Sequence, residues 1–476
     1  MSIIIFWLSV LISWLIGLAF VRKFRKIRLP ELAAAMPFGL GITGFLYFAW
    51  FLIFDKYWHL YIILEALLAL TLFFYFKKNN VNLFFLEEKN IKDSRVDEQF
   101  LPTRLLIIMV LVFMLLLLAE NILLSKFHGL GSWDALAIWN YKAAFLYKGG
   151  EHWTNMFSDV LRDLDHHKDY PLMLPSIVAR GWVYTGFSDP LVPRLISKIF
   201  AYFCVLILYF GVSSLKQSRI AGLLAIIVAA IPQTFNLLAE SQCADLPLAL
   251  YVLLAIFYLL SWHDSGEQGE LFLAFFAAAC GMWMKNEGIA FAAIFAIFVF
   301  LLSRLGKEKI QPFSIVKTAF IAYLPALTAV LILKYFQQSS NDLLDNISVF
   351  IFRVIDFDTI RLISSYMVQA LFIALPWFWF FFLYLLFRPV KVKEKISRCF
   401  LGLLIAQVTT YVLAYLLTPY DLHWHLGASF PRIYAHIHYA FIMVFFVFAH
   451  NPFSSAEKGA IMQENNTYDT KGVSDD

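Results

Sequence analysis

Long apolar runs set the terms for this chain. They recur in blocks of roughly 17–25 residues, the length that carries a helix across a hydrocarbon core. Short charged stretches separate them. Of 476 residues, 61% are hydrophobic and 15% charged, against about 45–50% and about 25% in soluble domains. The pattern predicts an all-α polytopic membrane protein of about thirteen transmembrane helices. A net charge of +4 is small. The basic residues sit in short loops, where they orient a membrane protein; nucleic acid is not an expected partner. Cys204, Cys243, Cys280 and Cys399 are scattered, so they read as small buried hydrophobes rather than a disulfide or zinc framework.

Charge between the runs gives them direction. Expected spans cover residues 2–21, 32–54, 58–76, 103–124, 191–215, 219–238, 246–262, 270–284, 288–303, 315–336, 363–387, 396–417 and 432–449. The first has no basic region before it and no small-residue cleavage site after it, so it reads as a span and not a signal peptide. A dense basic run follows at Val21–Arg28, and others lie at Lys77–Lys78, Lys216–Arg219, Arg304–Lys309 and Arg388–Arg398. Cytoplasmic loops carry such an excess. The N-terminus and the segments 125–170, 240–245, 285–287 and 419–432 are then outside. The acidic loop His263–Glu270 is the exception, on the basic side. Residues 171–187, opened by Pro171 and Pro175, are short for a span and are expected to lie at the interface or to re-enter. The expected units are N-terminal helices with a cytoplasmic loop (1–100), a transmembrane core (101–450) and a disordered cytoplasmic tail (451–476).

Every unusual polar cluster falls on that outer side. Trp133-Asp134 ends a long apolar run, and Trp139, Asn140 and Lys142 continue it on an amphipathic pattern. An aromatic belt beside a solvated carboxylate would explain the pair; so would a catalytic base reachable from both lipid and water. His152, Asp165, His166, His167, Asp169 and Tyr170 follow. Such side chains are ligands for divalent metals. Their spacing matches no tight motif, and a solvated polar loop is the competing explanation. Asp245, with Pro247 just behind it, suits a helix N-cap. As functional groups, Glu240 and Asp245 are carboxylates near the membrane surface that would hold a metal or an acceptor. If a divalent metal binds, Asp245 and His167 are its candidate ligands.

Lys285-Asn286-Glu287-Gly288 breaks two apolar spans. It is either a tight turn with Lys285 snorkelling and paired to Glu287 or a cation aimed at an anion. His423, His425 and Arg432, grouped around Trp424, are too polar for a mere connector. Arg432 opens the last span, where an unpaired charge is costly. It snorkels or binds an anion, and a lipid phosphate is the obvious one.

These residues, in this order, resemble a known group. The segments Trp133-Asp134-Ala135-Leu136-Ala137-Ile138-Trp139, Asp169-Tyr170-Pro171-Leu172-Met173-Leu174-Pro175, Ala244-Asp245-Leu246-Pro247 and Lys285-Asn286-Glu287-Gly288, with the run from Pro419 to Arg432, are similar to the bacterial multispanning glycosyltransferases of the GT-C superfamily. That group includes protein mannosyltransferases, the lipid A aminoarabinose transferase and rhizobial lipopolysaccharide-core transferases. The resemblance covers residues 100–450. It implies a GT-C-like core with interfacial helices in the first large outer loop, in a bacterial inner or plasma membrane. It implies inverting transfer of a sugar from a polyprenyl-phosphate donor to an extracytoplasmic glycan, lipid or protein acceptor. Position by position, Asp134 matches the family's carboxylate base and Asp245 its second acidic position. Arg432 and Lys285 would be phosphate partners, with Trp133, Asp169, Tyr170, Glu240, Glu287, His423 and His425 lining the substrate site. The family's short Asp-Glu pair is absent, since Ala135 follows Asp134.

The chemistry is consistent with one base and several cations. Displacing a lipid phosphate needs a group to take the acceptor's proton and positive charge to stabilise the departing phosphate. Phosphate leaves unprotonated, so the second carboxylic acid of a glycosidase is not required. The rival reading is a transporter or flippase. Transporters carry broken helices and polar groups at the midplane, whereas these spans are apolar through their centres, Glu65 excepted.

Overall fold

A computed structural model describes residues 2–78, 101–127, 129–158, 160, 167–230, 234–305, 311–337, 347–373 and 394–449. The described residues form helices and connecting turns, with no strand among them. In chain order the helices are α1 (Ser2–Phe24), α2 (Leu29–Ile53), α3 (Tyr61–Lys78), α4 (Leu101–Phe127), α5 (Tyr141–Lys148), α6 (Met173–Thr185), α7 (Leu191–Lys216), α8 (Arg219–Ala230) and α9 (Thr234–Ser241). They continue with α10 (Asp245–Ser265), α11 (Gln268–Met284), α12 (Asn286–Leu305), α13 (Pro312–Gln337), α14 (Ile347–Ile355), α15 (Phe357–Ile373), α16 (Glu394–Leu417), α17 (Leu422–Ile433) and α18 (Ala435–Phe448).

Among the described residues, eight helices are long and apolar enough to cross a membrane, nine if α17 and α18, bent by 41°, count as one span. Large apolar side chains stand exposed on α1, α4 and α13, among them Ile4, Leu115, Leu116, Phe320 and Leu331. A surface of that kind belongs in lipid. The protein is an all-α polytopic membrane protein. The expected span count of about thirteen exceeds what the described helices supply on the length a bilayer demands. The segment 58–76 is α3, which ends in Lys77 and Lys78 and carries Glu65. The segment 219–238 is divided between α8 and α9, and 270–284 is the 17-residue α11. Most of 363–387, the loop 79–100 and the tail 451–476 lie outside the described residues.

The bundle has two polar ends. At one, Arg25 pairs with Glu31 and with Glu270, each at 3.0 Å. The acidic loop His263–Glu270 therefore faces the basic run Val21–Arg28, and the charge exception in the sequence is local pairing. At the other end, the Tyr47 hydroxyl donates to the Leu146 carbonyl at 2.7 Å. Trp153 packs edge-on against Phe48, Phe51 and Phe336. The segment 131–170 thus covers the end where α2 and α13 finish and α10 begins.

Close packing holds α1 to α2. A Cβ on Gly39 would lie 1.8 Å from the Ser13 carbonyl oxygen; only a glycine lets the two backbones meet, as small residues do in membrane helix pairs. Helix α6 is buried from Met173 to Tyr184. It is apolar around its circumference, and such a helix belongs inside a bundle. Residues 171–184 therefore pack inside the bundle, while Phe187 at the end of the segment is exposed. Its one charge is matched. Arg180 donates from Nε and Nη2 to the two oxygens of Glu65 on α3 at 2.8 and 2.7 Å, and from Nη2 to the Ser9 carbonyl at 2.9 Å.

Candidate active site

The site grows from the turn before Asp134. Gly131 has φ +80, and a Cβ there would lie 2.8 Å from the Ser241 carbonyl oxygen. Glycine thus fits a left-handed turn that is also a close approach. The Ser132 amide donates to the same carbonyl at 3.0 Å. This docks the turn on the end of α9 and aims Asp134 across the bundle toward α17. The residues after Asp134, Ala135–Asn140, wind as a π-helix, a form found mostly at functional sites. Trp139 is buried there and stacks on Tyr170 at 5.4 Å between centroids; Tyr170 stacks in turn on His167 at 4.7 Å.

Lys285, Arg432 and His436 converge on Asp245. It is the first residue of α10, and its side chain does not cap the helix; the capping explanation gives way. Oδ1 accepts from Lys285 Nζ at 2.9 Å and lies 3.0 Å from His436 Nε2. Oδ2 accepts from Arg432, with Nε and Nη2 each at 3.1 Å. Arg432 Nη1 then reaches Asp134 Oδ2 at 2.5 Å, so one guanidinium joins both carboxylates. Lys285, extended between α11 and α12, also pairs with Glu287 at 2.9 Å and lies 5.6 Å over the Tyr170 ring. Asn286 Nδ2 donates to Asp169 Oδ2 at 2.5 Å.

Burial grades across the cluster. The Asp245 side chain is 1% exposed, whereas those of Asp134 and Arg432 are 28% and 27% exposed. The rim is open and the floor closed. Burial alone would lower the Lys285 ammonium, but Asp245 and Glu287 outweigh it and hold it well above the usual lysine range; it is a fixed cation. Burial pushes the Tyr170 phenol up, so it stays neutral. Burial also holds the His167 imidazole below the ordinary histidine value.

An apolar cavity of about 220 Å³ is lined by Phe45, Met173, Phe276, Cys280, Trp283 and Pro325 among others. Two of these, Met173 and Trp283, stand three and two positions from Tyr170 and Lys285 in the chain.

The sequence candidates divide accordingly. Asp134, Asp169, Tyr170, Asp245, Lys285, Glu287 and Arg432 come together, and Trp133 stands exposed beside them. Glu240 pairs instead with Lys198 at 3.0 Å and accepts from Ser125 at 2.9 Å. His425 bonds Thr418 at 2.8 Å and His423 meets the Tyr366 ring edge-on; both stand apart from the bonds around Asp245. Asp165 and His166 lie outside the described residues. Both oxygens of Asp245 are engaged by cations and His436, and His167 stacks on Tyr170. Among the described residues, no group of three His, Cys, Asp or Glu side chains is placed to hold a metal. His436 was not among the candidates. Its signal was an imidazole inside an otherwise apolar span, a costly placement that marks function or pairing.

A many-helix membrane protein with a carboxylate–cation cluster at one end of the bundle and an apolar cavity among its helices has the equipment of a membrane glycosyltransferase. Residues 169–335, about a third of the chain, match the family model described as dolichyl-phosphate-mannose-protein mannosyltransferase. The match supports a glycosyltransferase of the GT-C superfamily. No curated protein and no solved structure matches the chain.

Proposed function

We propose that this protein moves a sugar from a polyprenyl-phosphate donor to an acceptor hydroxyl at the extracytoplasmic face, with inversion at the anomeric carbon. The observation that carries the reading is Arg432, which joins Asp134 to Asp245 at the open rim while Lys285 closes the floor. The donor's first isoprene units would lie in the apolar cavity lined by Met173 and Trp283, with its phosphate at the two cations.

The chemistry follows from the placement. The acceptor oxygen attacks the anomeric carbon from the face opposite the phosphate. Its proton passes to an Asp134 carboxylate oxygen. The bond from the anomeric carbon to phosphate breaks, and its electron pair leaves with the phosphate, which Arg432 and Lys285 neutralise. Asp134 Oδ2 is held by Arg432 in the free protein. An incoming phosphate competes for that guanidinium, which forks readily between carboxylate and phosphate. Donor binding thereby releases the base, so it is armed only when there is a sugar to transfer. Asp245, with no exposed surface to spare, keeps Arg432 and Lys285 in place throughout.

The test is transfer from a synthetic polyprenyl-phosphate sugar to membranes containing the full chain. Wild type transfers label and Asp134→Asn does not. Transfer by Asp134→Asn at the wild-type rate removes Asp134 from the role of base.

A further inference from the structure

A second polar seam lies beside the catalytic cluster, where α4, α7 and α9 meet, and the reaction described above leaves it unused. Lys198 of α7 donates to Ser125 Oγ of α4 at 2.6 Å and pairs with Glu240 of α9. Asn236 of α9 donates to the Leu117 carbonyl at 3.3 Å and to Glu120 at 2.7 Å. Asn121 lies between Leu117 and Ser125 on the same stripe of α4, and Tyr202, one turn beyond Lys198, packs its ring near Phe235.

What sets the seam apart is what it leaves unpaired. Asn121 is 1% exposed, and neither its amide nitrogen nor its oxygen has a partner. Asn236 Oδ1, Glu240 Oε2 and the Tyr202 hydroxyl are buried and unpartnered as well. Buried polar atoms without partners are uncommon, and each is costly to leave so. Here they gather on three facing helices.

Their chemistry selects a ligand. Lys198 already neutralises Glu240, and Arg194, one turn before it on α7, turns its Nη2 to the Gly129 carbonyl. The unpaired groups are one amide donor, three oxygens and one hydroxyl that donates or accepts. That mixture suits the hydroxyls of a sugar-like headgroup, which donate and accept in turn. The seam's outer wall is α4, whose Leu116, Ile122 and Leu123 are exposed, as is Leu237 of α9. A headgroup that reaches the seam arrives along the bilayer. Ser241, next to Glu240, holds the Ser132 amide two residues from Asp134.

We infer that this seam is an acceptor subsite, which takes the hydroxylated headgroup of a membrane-borne acceptor and presents one hydroxyl to Asp134. The inference rests on Asp134 acting as the base. It is tested in membranes containing the full chain, supplied with radiolabelled polyprenyl-phosphate sugar. Products are separated into lipid-extractable and protein fractions and resolved from unreacted donor. Affinity for the same donor is measured on purified wild type, Asn121→Leu and Tyr202→Phe. The expected result is label in a lipid-extractable product, with each variant lowering that transfer about tenfold at limiting acceptor and donor affinity unchanged. Label in protein, wild-type rates in both variants, or a parallel loss of donor affinity each overturns it. The second of these means that water alone fills the seam, and the third that it is scaffold. If wild type labels no fraction, the proposed reaction falls first and the subsite with it, a result distinct from the other three.

Discussion

Two of the buried ion pairs among the described residues, Glu65–Arg180 and the cluster around Asp245, are built to different standards. At Glu65–Arg180 every carboxylate lone pair is spoken for. Oε1 accepts from Tyr61 at 2.6 Å and Arg180 at 2.8 Å, and Oε2 from Arg180 at 2.7 Å and Tyr184 at 2.6 Å. Neither charged side chain is more than 2% exposed. The Asp245 cluster has the same kind of floor but an unfinished rim. Glu287 Oε2 has no partner, and Arg432 divides itself between two carboxylates at an exposed edge. A saturated pair in low dielectric has nothing left to offer a ligand, and removing one partner strands the other charge. An unsaturated one can trade a protein carboxylate for a phosphate. The contrast separates a charge pair that locks α6 into the bundle from one whose open rim the proposed reaction would use.

The strongest way to break this contrast is to neutralise one acid in each cluster. Asp134→Asn should lower sugar transfer by about 10²–10⁴-fold, the range a positioned base contributes, with thermal unfolding in detergent unchanged. If it unfolds the protein while leaving turnover in the surviving fraction intact, the open cluster is structural after all.

Arg180→Ala should act the other way round. It leaves the Glu65 carboxylate buried without its cation, a loss of about 3–5 kcal/mol for breaking a buried pair, read as a lower unfolding temperature. Replacing both partners with apolar residues of similar size should restore most of that loss. A variant with normal stability and abolished transfer would move Glu65–Arg180 from scaffold to chemistry.

Arg432→Lys is a finer probe. It keeps the charge but loses the planar fork that reaches Asp134 and Asp245 together. Donor affinity should fall about tenfold to a hundredfold, on the scale of one or two charge-assisted hydrogen bonds. Unchanged affinity would mean that the phosphate does not compete for the guanidinium, and the release of Asp134 by donor binding would fall with it.

Much of the open cluster was legible in the sequence because its charges sit where apolar runs stop. Asp134, Asp245, Lys285 and Arg432 each interrupt a hydropathic pattern at a boundary, and orienting the loops by their basic residues brings them to one end. The partners were harder to read. Glu65 stood out as a charge inside an apolar span, but its partner Arg180, more than a hundred residues away in a short apolar stretch, did not; the bundle places them 2.7 Å from one another. Glu240 was no easier to read. A carboxylate at a span's end looks the same whether it faces a substrate or a cation, and here one oxygen meets Lys198 while the other has no partner. His436 was hidden inside its span, and only tertiary packing shows that its imidazole meets Asp245. The number of spans was less legible, because composition does not reveal where a helix ends: the run 219–238 holds α8 and the start of α9.

The smallest expected effect concerns the flank of the open cluster. Burial depresses the His167 imidazole, with Asp169 opposing and Lys142 assisting, and the ring stacks on Tyr170 beneath Lys285. The sign follows from where protons bind. Above the unfolded histidine value of about 6.5, both folded and unfolded states hold the ring neutral and stability does not depend on it. Below that value the unfolded chain takes up a proton that the folded site resists. Stability should therefore fall as pH drops from about 6.5 toward the folded value, by at most about 1.4 kcal/mol per pH unit. His167→Phe keeps an aromatic ring against Tyr170 but cannot titrate. Unfolding temperatures of this variant should change less between neutral and mildly acid pH than those of wild type. An equally steep acid decline in both would place the acid sensitivity elsewhere and leave His167 as a stacking group alone.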